Sequence, residues 1–370
     1  MRVLACVLAT ALVWMPCAAP AEEYRASSYV FGTLAQITVP EADLGRAQRA
    51  VASVFREFDR MHRDLHAWQP GELVALNEAI ARGEKDVATT AEIAALIQEA
   101  RRFSDRSGEL FNPAIGKLVA LWSFHRDEPG GPLPDPSEIA RIVHAHPRMA
   151  DLTVRGTIVS SSNPAVRLDF GGYAKGYALD RAAAILREGG VANALVNVGG
   201  NILALGRHGD TPWRIGLEDP RRAPGEAGLL GTIELADGEA IGTSGDYRRY
   251  YIVDGKRYSH IIDPRSGYPS TGVRSVTVVA PPRPGAGALS DAASKPLFIA
   301  GPLGWREAAD KLGITQALLV DDEGQPQVTP ELAQRLRGRE VEARKESGHV
   351  RVPGLSIRPA LLDSPARRRP

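Results

Sequence analysis

Between residues 194 and 281 the apolar residues come in short runs closed by glycine, aspartate or proline: "ALVNVGGNILALG", "WRIGLED", "LLGTIELADG", "RRYYIVDGKRYSHIID" and "VRSVTVVAPP". Runs this short, with such punctuation, read as strands. Asp254-Gly255 between two aromatic-rich runs predicts a two-residue hairpin turn. The rest of the chain differs. "SSYVFGTLAQITVP" (27–40) reads as one opening strand that includes Leu34, Ile37 and Val39. Asp43 then caps a long helix with Leu44, Ala47, Val51, Phe55, Phe58, Met61 and Leu65 on one face. Further helices are expected around Ile93, Leu96, Ile97 and Ala100, and over 289–299 and 303–312, while 127–138 is a Pro/Gly-rich surface loop. Strands and helices do not alternate regularly. That disfavours a doubly wound parallel sheet and predicts an α+β fold.

Nothing in the composition calls for a second fold class. Of 370 residues 44% are apolar and 24% charged, with a formal net charge of +1, as in a globular chain able to bury a sizeable core. A near-neutral chain without a basic stripe gives no footprint for nucleic acid. At the N-terminus, Arg2 precedes the apolar run "VLACVLATALVWM", and Ala19 and Ala21 stand where a signal peptidase cuts before Glu22. Residues 1–21 are therefore expected to be a secretory signal and the protein to be exported to the periplasm. Lipidation at Cys17, giving an inner-membrane lipoprotein, is the weaker alternative. Cys6 and Cys17 are the only cysteines, so a chain cut before Glu22 has neither disulfide nor thiolate chemistry. Residues 22–340 are expected to form one domain and 341–370 a charged, partly disordered tail.

The densest local pattern is "VRLDFGGYAKGYALDRAAAIL" (166–186). Val166, Leu168 and Phe170 read as a short strand, and helical spacing runs from Tyr177 to Gly189-Gly190. A Gly-rich turn into a helix aims backbone N–H groups and a positive dipole end at one spot, which suits an anion. A tight turn that simply needs glycine is the ordinary reading. Four other stretches have equally ordinary readings: "SGELFNPAIGKLVALWSF", "IGTSGDYRRYY", "DGKRYSHIIDPRSGYP" and "LSDAASKPLFIAGP". Asp263-Pro264 is a good turn, Asp291 a good helix cap, and a histidine among isoleucines more often core than catalyst.

Taken in order, these stretches resemble the motifs of the ApbE family of flavin transferases. Phe31-Gly32-Thr33, "WQPGELVALN", "GELFNP", "DFGGYAKGYALD", "LVNVGGN", "TSGDY", "HIIDPRSG" and "DAASK" match its patterns from about residue 27 to 325. The resemblance implies an ApbE-type fold of mixed or antiparallel sheets with packed helices, and a FAD site in a cleft between two lobes. It implies FAD as substrate, Mg²⁺ as cofactor, and transfer of FMN to a threonine hydroxyl of a flavoprotein in a membrane or periplasmic electron-transfer system, with AMP released. By position, Phe31, Trp68, Leu110, Phe111, Asn112, Asp169, Lys175 and Ile262 would bind the cofactor. Gly172, through its carbonyl, and Asp291 would hold the metal. His260 has the ordinary pKa best suited to deprotonating the acceptor, so it and Asp291 are the candidate catalytic residues.

Three positions depart from the family pattern. Phe31 replaces methionine and Asn112 replaces aspartate. Lys295 stands where the family has threonine, four residues after Asp291, and is followed by Pro296. A protonated lysine has donors only and cannot ligate a metal. Either Ser294 takes over as ligand, or Lys295 itself supplies charge to the phosphates, or metal binding is weakened. Retained function with altered metal dependence is the expectation. A Mg²⁺-dependent FAD pyrophosphatase and a non-catalytic FAD carrier are the competing functions, separated from the transferase by whether water, a protein hydroxyl or nothing attacks FAD.

Overall fold

A computed structural model describes residues 23–40, 43–221, 228–338, 344–346 and 349–351. The expected signal segment lies outside these residues. Of the expected tail only two short strands fall within them.

The opening stretch is a hairpin and not one strand: β1 (Glu23–Val30) turns through Phe31 and Gly32 into β2 (Thr33–Pro40). Both turn residues have positive φ (56° and 68°), which a two-residue hairpin turn demands and which an apolar pattern does not signal. Asp43 caps α1 (Leu44–Leu65) by accepting from the Arg46 N–H at 2.9 Å, and the apolar stripe of that helix is buried. The chain continues through α2 (Glu72–Ala81), β3 (Val87–Ala88), α3 (Ala91–Arg106), α4 (Gly116–Leu121) and α5 (Pro136–Ala145) to the hairpin β4 (Leu152–Arg155) and β5 (Ile158–Ser161). Residues 166–170 do not form the expected strand. They run extended beside 113–116 with one parallel bridge, Ile115 to Arg167, because Asn77 takes up the Leu168 backbone at both ends, at 2.7 and 2.9 Å.

Helix α6 (Ala174–Glu188) follows. Then come the strands that the glycine punctuation predicted: β6 (Ala194–Val198), β7 (Asn201–Leu205), β8 (Trp213–Glu218), β9 (Leu229–Leu235), β10 (Ala240–Gly245), β11 (Tyr250–Val253), β12 (Lys256–Ser259) and β13 (Val273–Ala280). Asp254 and Gly255 form the β11–β12 turn, both at positive φ. Helix α7 (Ala286–Leu312) is broken at Gly301 (φ 71°), which accounts for the two separate helices read from the sequence. The remaining elements are β14 (Ala317–Asp321), β15 (Pro326–Val328), α8 (Pro330–Arg335), β16 (Arg344–Glu346) and β17 (His349–Arg351).

The main sheet has the order β1-β2-β6-β7-β10-β13-β14-β15-β17-β16, and every ladder in it is antiparallel. The fold is α+β. Its central strands are buried on both faces, which explains the largely apolar run "VTVVA" in an antiparallel strand, where the one hydroxyl, of Thr277, meets that of Thr243. Val276, Val278 and Ala280 of β13 face the principal core with α1, α6 and α7, while Val279 faces a second cluster under β8, β9 and α8. A third cluster joins α4 and α5 to the β11–β12 hairpin through Trp122, Phe124, Ile139 and Ile262.

Two helices of the principal core touch backbone to backbone. Asp180 on α6 accepts from the Gly287 and Ala288 N–H groups, at 2.9 and 2.8 Å, and so caps α7, whose own start offers no side-chain cap. Asp180→Ala should cost about 0.5–2 kcal/mol, the usual range for a lost cap, read as a lower urea midpoint at unchanged slope.

Candidate active site

The turn 169–173 and the first turn of α6 sit against α7, and the sequence of both elements permits this only because glycines stand at the crossing. A Cβ on Gly176 would lie 2.2 Å from the Gly287 carbonyl oxygen and 2.6 Å from the Asp291 Cβ. This proximity brings Asp291 under the turn. Its Oδ2 accepts the Gly176 N–H at 2.8 Å, and its Oδ1 pairs with the Lys295 ammonium, which also donates to the Asp291 carbonyl at 2.8 Å. The anion that accepts from the helix start is the protein's own Asp291 carboxylate.

Burial works to raise the Asp291 carboxyl. The ammonium groups of Lys295 and Lys175, with the hydrogen bonds from Lys295 and Gly176, outweigh it and keep Asp291 below the usual carboxylate range. Burial lowers the Lys295 ammonium to about 8 while the Asp291 charge opposes the fall, so the pair is ionised at pH 7. Lys175 reaches back to the Gly171 carbonyl at 3.3 Å. Gly172 faces Lys295 and Phe111: a Cβ there would lie 3.6 Å from Lys295 Cε and 4.0 Å from the Phe111 ring.

His260 approaches from the β12 side. Its Nδ1 lies 3.0 Å from the Arg249 carbonyl. A carbonyl only accepts, so Nδ1 carries the proton and Nε2 keeps a lone pair. Burial, helped by the charges of Lys175, Lys295 and Arg249, pushes this imidazole down to about 3 against the backbone hydrogen bond that favours its charged form. The ordinary histidine pKa assumed from the sequence does not hold here.

A second group lies beside the first. Asp169 accepts the Gly171 N–H at 2.8 Å, and burial raises its carboxyl despite the charges of His66 and Arg249 and a hydrogen bond from Trp68. The Arg167 guanidinium lies 4.5 Å from the Trp68 ring centre, and His125 lies on that indole at 5.1 Å. The Trp68 backbone N–H donates to His66 Nδ1 at 3.0 Å, and from His66 a row of rings runs through His62 to Phe31, with His62 5.8 Å from Phe31. Leu110 is half-buried just before Phe111. The site residues thus come from the principal core (Phe111 and the 169–176 turn) and from the hairpin cluster (His260 and its neighbours).

The sequence model of the ApbE family matches residues 31–319. This chain belongs to the ApbE family. It is 44% identical over 321 residues to the FAD:protein FMN transferase of Rhodobacter capsulatus, covering 86% of this chain and 59% of that protein, so it spans about three-fifths of that relative's length. It is 38% identical over 234 residues to a FAD:protein FMN transferase of Klebsiella pneumoniae, covering 62% of this chain and 70% of that one. The crystal structure of the ApbE protein of Thermotoga maritima superposes with a TM-score of 0.76 at 28% identity, covering 86% of this chain and all of that one.

Several residues of the ApbE motifs turn out to hold backbone. Asn112 donates to the Pro147 carbonyl and accepts the Ala114 N–H, at 2.9 and 3.0 Å, so its buried amide holds the turn together. Asn77 clamps Leu168, Asp180 caps α7, and Asn201 accepts the Thr243 N–H at 3.2 Å. The Ile262 side chain is buried in the third cluster and bridges Pro269 through its backbone, leaving only that backbone for a cofactor contact. Sequence reasoning missed Arg249, His66 and Ser244. Arg249 and His260 meet because the two-residue turn at Asp254-Gly255 sets the β11–β12 register, which brings the residues just outside the ladder together.

The Mg²⁺ that the family resemblance implies does not fit the donor set in this chain. Both Asp291 oxygens are engaged, one by an ammonium. The Ser294 hydroxyl donates to the Asp291 carbonyl at 2.8 Å and meets the Ser244 hydroxyl at 2.7 Å. Lys295 has no lone pair while protonated. Of the four expected ligands, Gly172, Asp291, Ser294 and Lys295, the two that remain oxygen donors by side chain are already committed. Among the described residues no cluster of three or more His, Cys, Asp or Glu offers another place for a metal.

Proposed function

We propose that this protein is a FAD:protein FMN transferase that moves FMN from FAD to a threonine hydroxyl of an exported flavoprotein and releases AMP. The observation that carries the reading is His260, fixed by the Arg249 carbonyl in the tautomer that leaves Nε2 free to accept a proton, beside a pair of lysine ammonium groups. The names of the relatives support the same activity.

In this scheme the acceptor oxygen attacks the phosphorus on the FMN side of the pyrophosphate, and its proton passes to Nε2. The bridging bond breaks and its electron pair leaves with AMP. Such a transfer depends on positioning and on charge placed against the phosphates, which Lys175 and Lys295 supply. Anionic phosphates also offset the cations that depress His260, so the imidazole becomes a stronger base as FAD binds. Phe31 and Trp68, both half-buried, provide aromatic surface for the ring systems of FAD, and Phe111 packs beneath the turn at Gly172.

We place the protein in the periplasm on the strength of Arg2, the apolar run and Ala19/Ala21. Incubation with FAD and an envelope flavoprotein domain should give equal amounts of AMP and of covalently flavinylated acceptor, seen as fluorescence on the denatured band. Free FMN with AMP and no labelling would make the protein a FAD pyrophosphatase. Bound FAD without either product would make it a carrier.

A further inference from the structure

We infer that Lys295 stands in for a divalent cation: its ammonium, anchored on Asp291, is the fixed positive charge against which the pyrophosphate of FAD binds. This rests on the flavin reading above and concerns the same site.

The geometry supports it at each atom. Lys295 follows Asp291 by four residues on α7, so the two side chains share one face of the helix. Nζ donates to the Asp291 carboxylate and, at 2.8 Å, to the Asp291 carbonyl. An ammonium has three donors, so one N–H is left for a ligand oxygen. The lysine side chain is 15% exposed while Asp291 is 1% exposed, which leaves the ammonium as the solvent-facing member of the pair.

What opens it to a ligand is the turn above. A Cβ on Gly172 would sit 3.6 Å from the Lys295 Cε, so any larger side chain at 172 would lie over the lysine stem. Lys175 is tied to the Gly171 carbonyl, near enough for its charge to act on both Asp291 and Lys295. The set of Asp291, Lys295 and Lys175 carries a net positive charge with no ion added. A compact ammonium is a good point charge for phosphate oxygens, though it lacks the octahedral demands of Mg²⁺.

The test is binding, measured on the full chain. FAD affinity by flavin fluorescence should agree within about twofold between EDTA and excess Mg²⁺. The paramagnetic resonance signal of free Mn²⁺ should be unchanged by the protein. Lys295→Met, which keeps most of the stem packing and removes the charge, should weaken FAD binding about tenfold or more in both buffers. Lys295→Thr should lose affinity in EDTA, regain it with Mg²⁺ and bind Mn²⁺, with melting temperature recorded to establish that both variants fold. Wild-type FAD binding that requires Mg²⁺, or loss of the free Mn²⁺ signal on adding wild-type protein, overturns the inference. So does a folded Lys295→Met variant that binds FAD as well as wild type. FAD that fails to bind wild-type protein in either buffer overturns the flavin reading and this inference with it.

Discussion

His260→Gln should retain the fold and FAD binding and slow FMN transfer by about 10²–10⁴-fold, the usual worth of a positioned general base. Glutamine can still donate an N–H to the Arg249 carbonyl that His260 now engages at 3.0 Å, so the β12 end stays in place. Its remaining oxygen is not a base at any working pH. A purely structural role for His260 predicts the opposite pattern, with a loss of stability and little change in the rate per folded molecule. Transfer at wild-type rate, scored as AMP released per bound FAD, would remove His260 from the mechanism.

The pH behaviour adds a second readout. With its pKa at about 3 the imidazole of the free protein is neutral across pH 5–8, so FAD-free His260 should show no titration there by imidazole NMR. The stability consequence has a definite sign. Between about 6.5 and about 3 the unfolded chain binds a proton that folded His260 refuses, so this group destabilises the fold as pH falls through that window. Asp180 acts in the other direction. Burial raises its carboxyl from 3.8 to about 6 despite the two N–H groups it accepts, so between these values the folded state holds the extra proton and loses stability as pH rises. The two opposing slopes overlap from about 4 to 6. Asp180→Ala should therefore show a steeper loss of stability on acidification than wild type, because the slope that opposes that of His260 is gone.

How much of this was legible in the sequence depends on the range of the interaction concerned. The hairpin at Asp254-Gly255, the cap at Asp43 and the break between the two parts of α7 are set within a few residues, and the local pattern predicted each. The Phe31-Gly32 turn was missed because phenylalanine rarely takes positive φ, so the apolar run looked continuous. The extended stretch 166–170 has the alternation of a strand, yet it joins no sheet: its main chain bonds to 113–116 and, at Leu168, to the Asn77 side chain, 91 residues away in sequence. The site followed the same division. Asp291, Lys295 and the glycine turn stand out as motifs and the Asp254-Gly255 hairpin sets Arg249 opposite His260, whereas the direction of the His260 pKa shift depends on burial that no spacing encodes. Asn112 shows the converse: an amide in a motif position whose two hydrogen bonds both go to main chain.

Gly176→Ala should be among the most damaging single-methyl changes available to this chain. Alanine ordinarily gains about 1 kcal/mol over glycine inside a helix, so a neutral site would become more stable. Here the added Cβ would lie 2.2 Å from the Gly287 carbonyl oxygen, 2.7 Å from its carbon and 2.6 Å from the Asp291 Cβ. Two of those atoms are backbone and the third belongs to a fully buried side chain, so none can swing aside. Overpacking of this kind costs about 1–3 kcal/mol or more, which exceeds the propensity gain. Relief requires α6 and α7 to separate, and separation breaks the Gly176 N–H to Asp291 contact of 2.8 Å that holds the carboxylate and, through it, Lys295. The variant should therefore lose both stability and FAD affinity, the second by more than its folded fraction explains. Gly130→Ala is the control, since a Cβ there meets nothing within 4 Å and its φ is not in the left-handed region; it should stay within about 0.5 kcal/mol of wild type. Urea unfolding and flavin titration on the two variants decide the matter. Equal stability of Gly176→Ala and wild type would mean that the helix crossing has room the structure does not show, and that the lysine–aspartate pair is held by something other than this close approach.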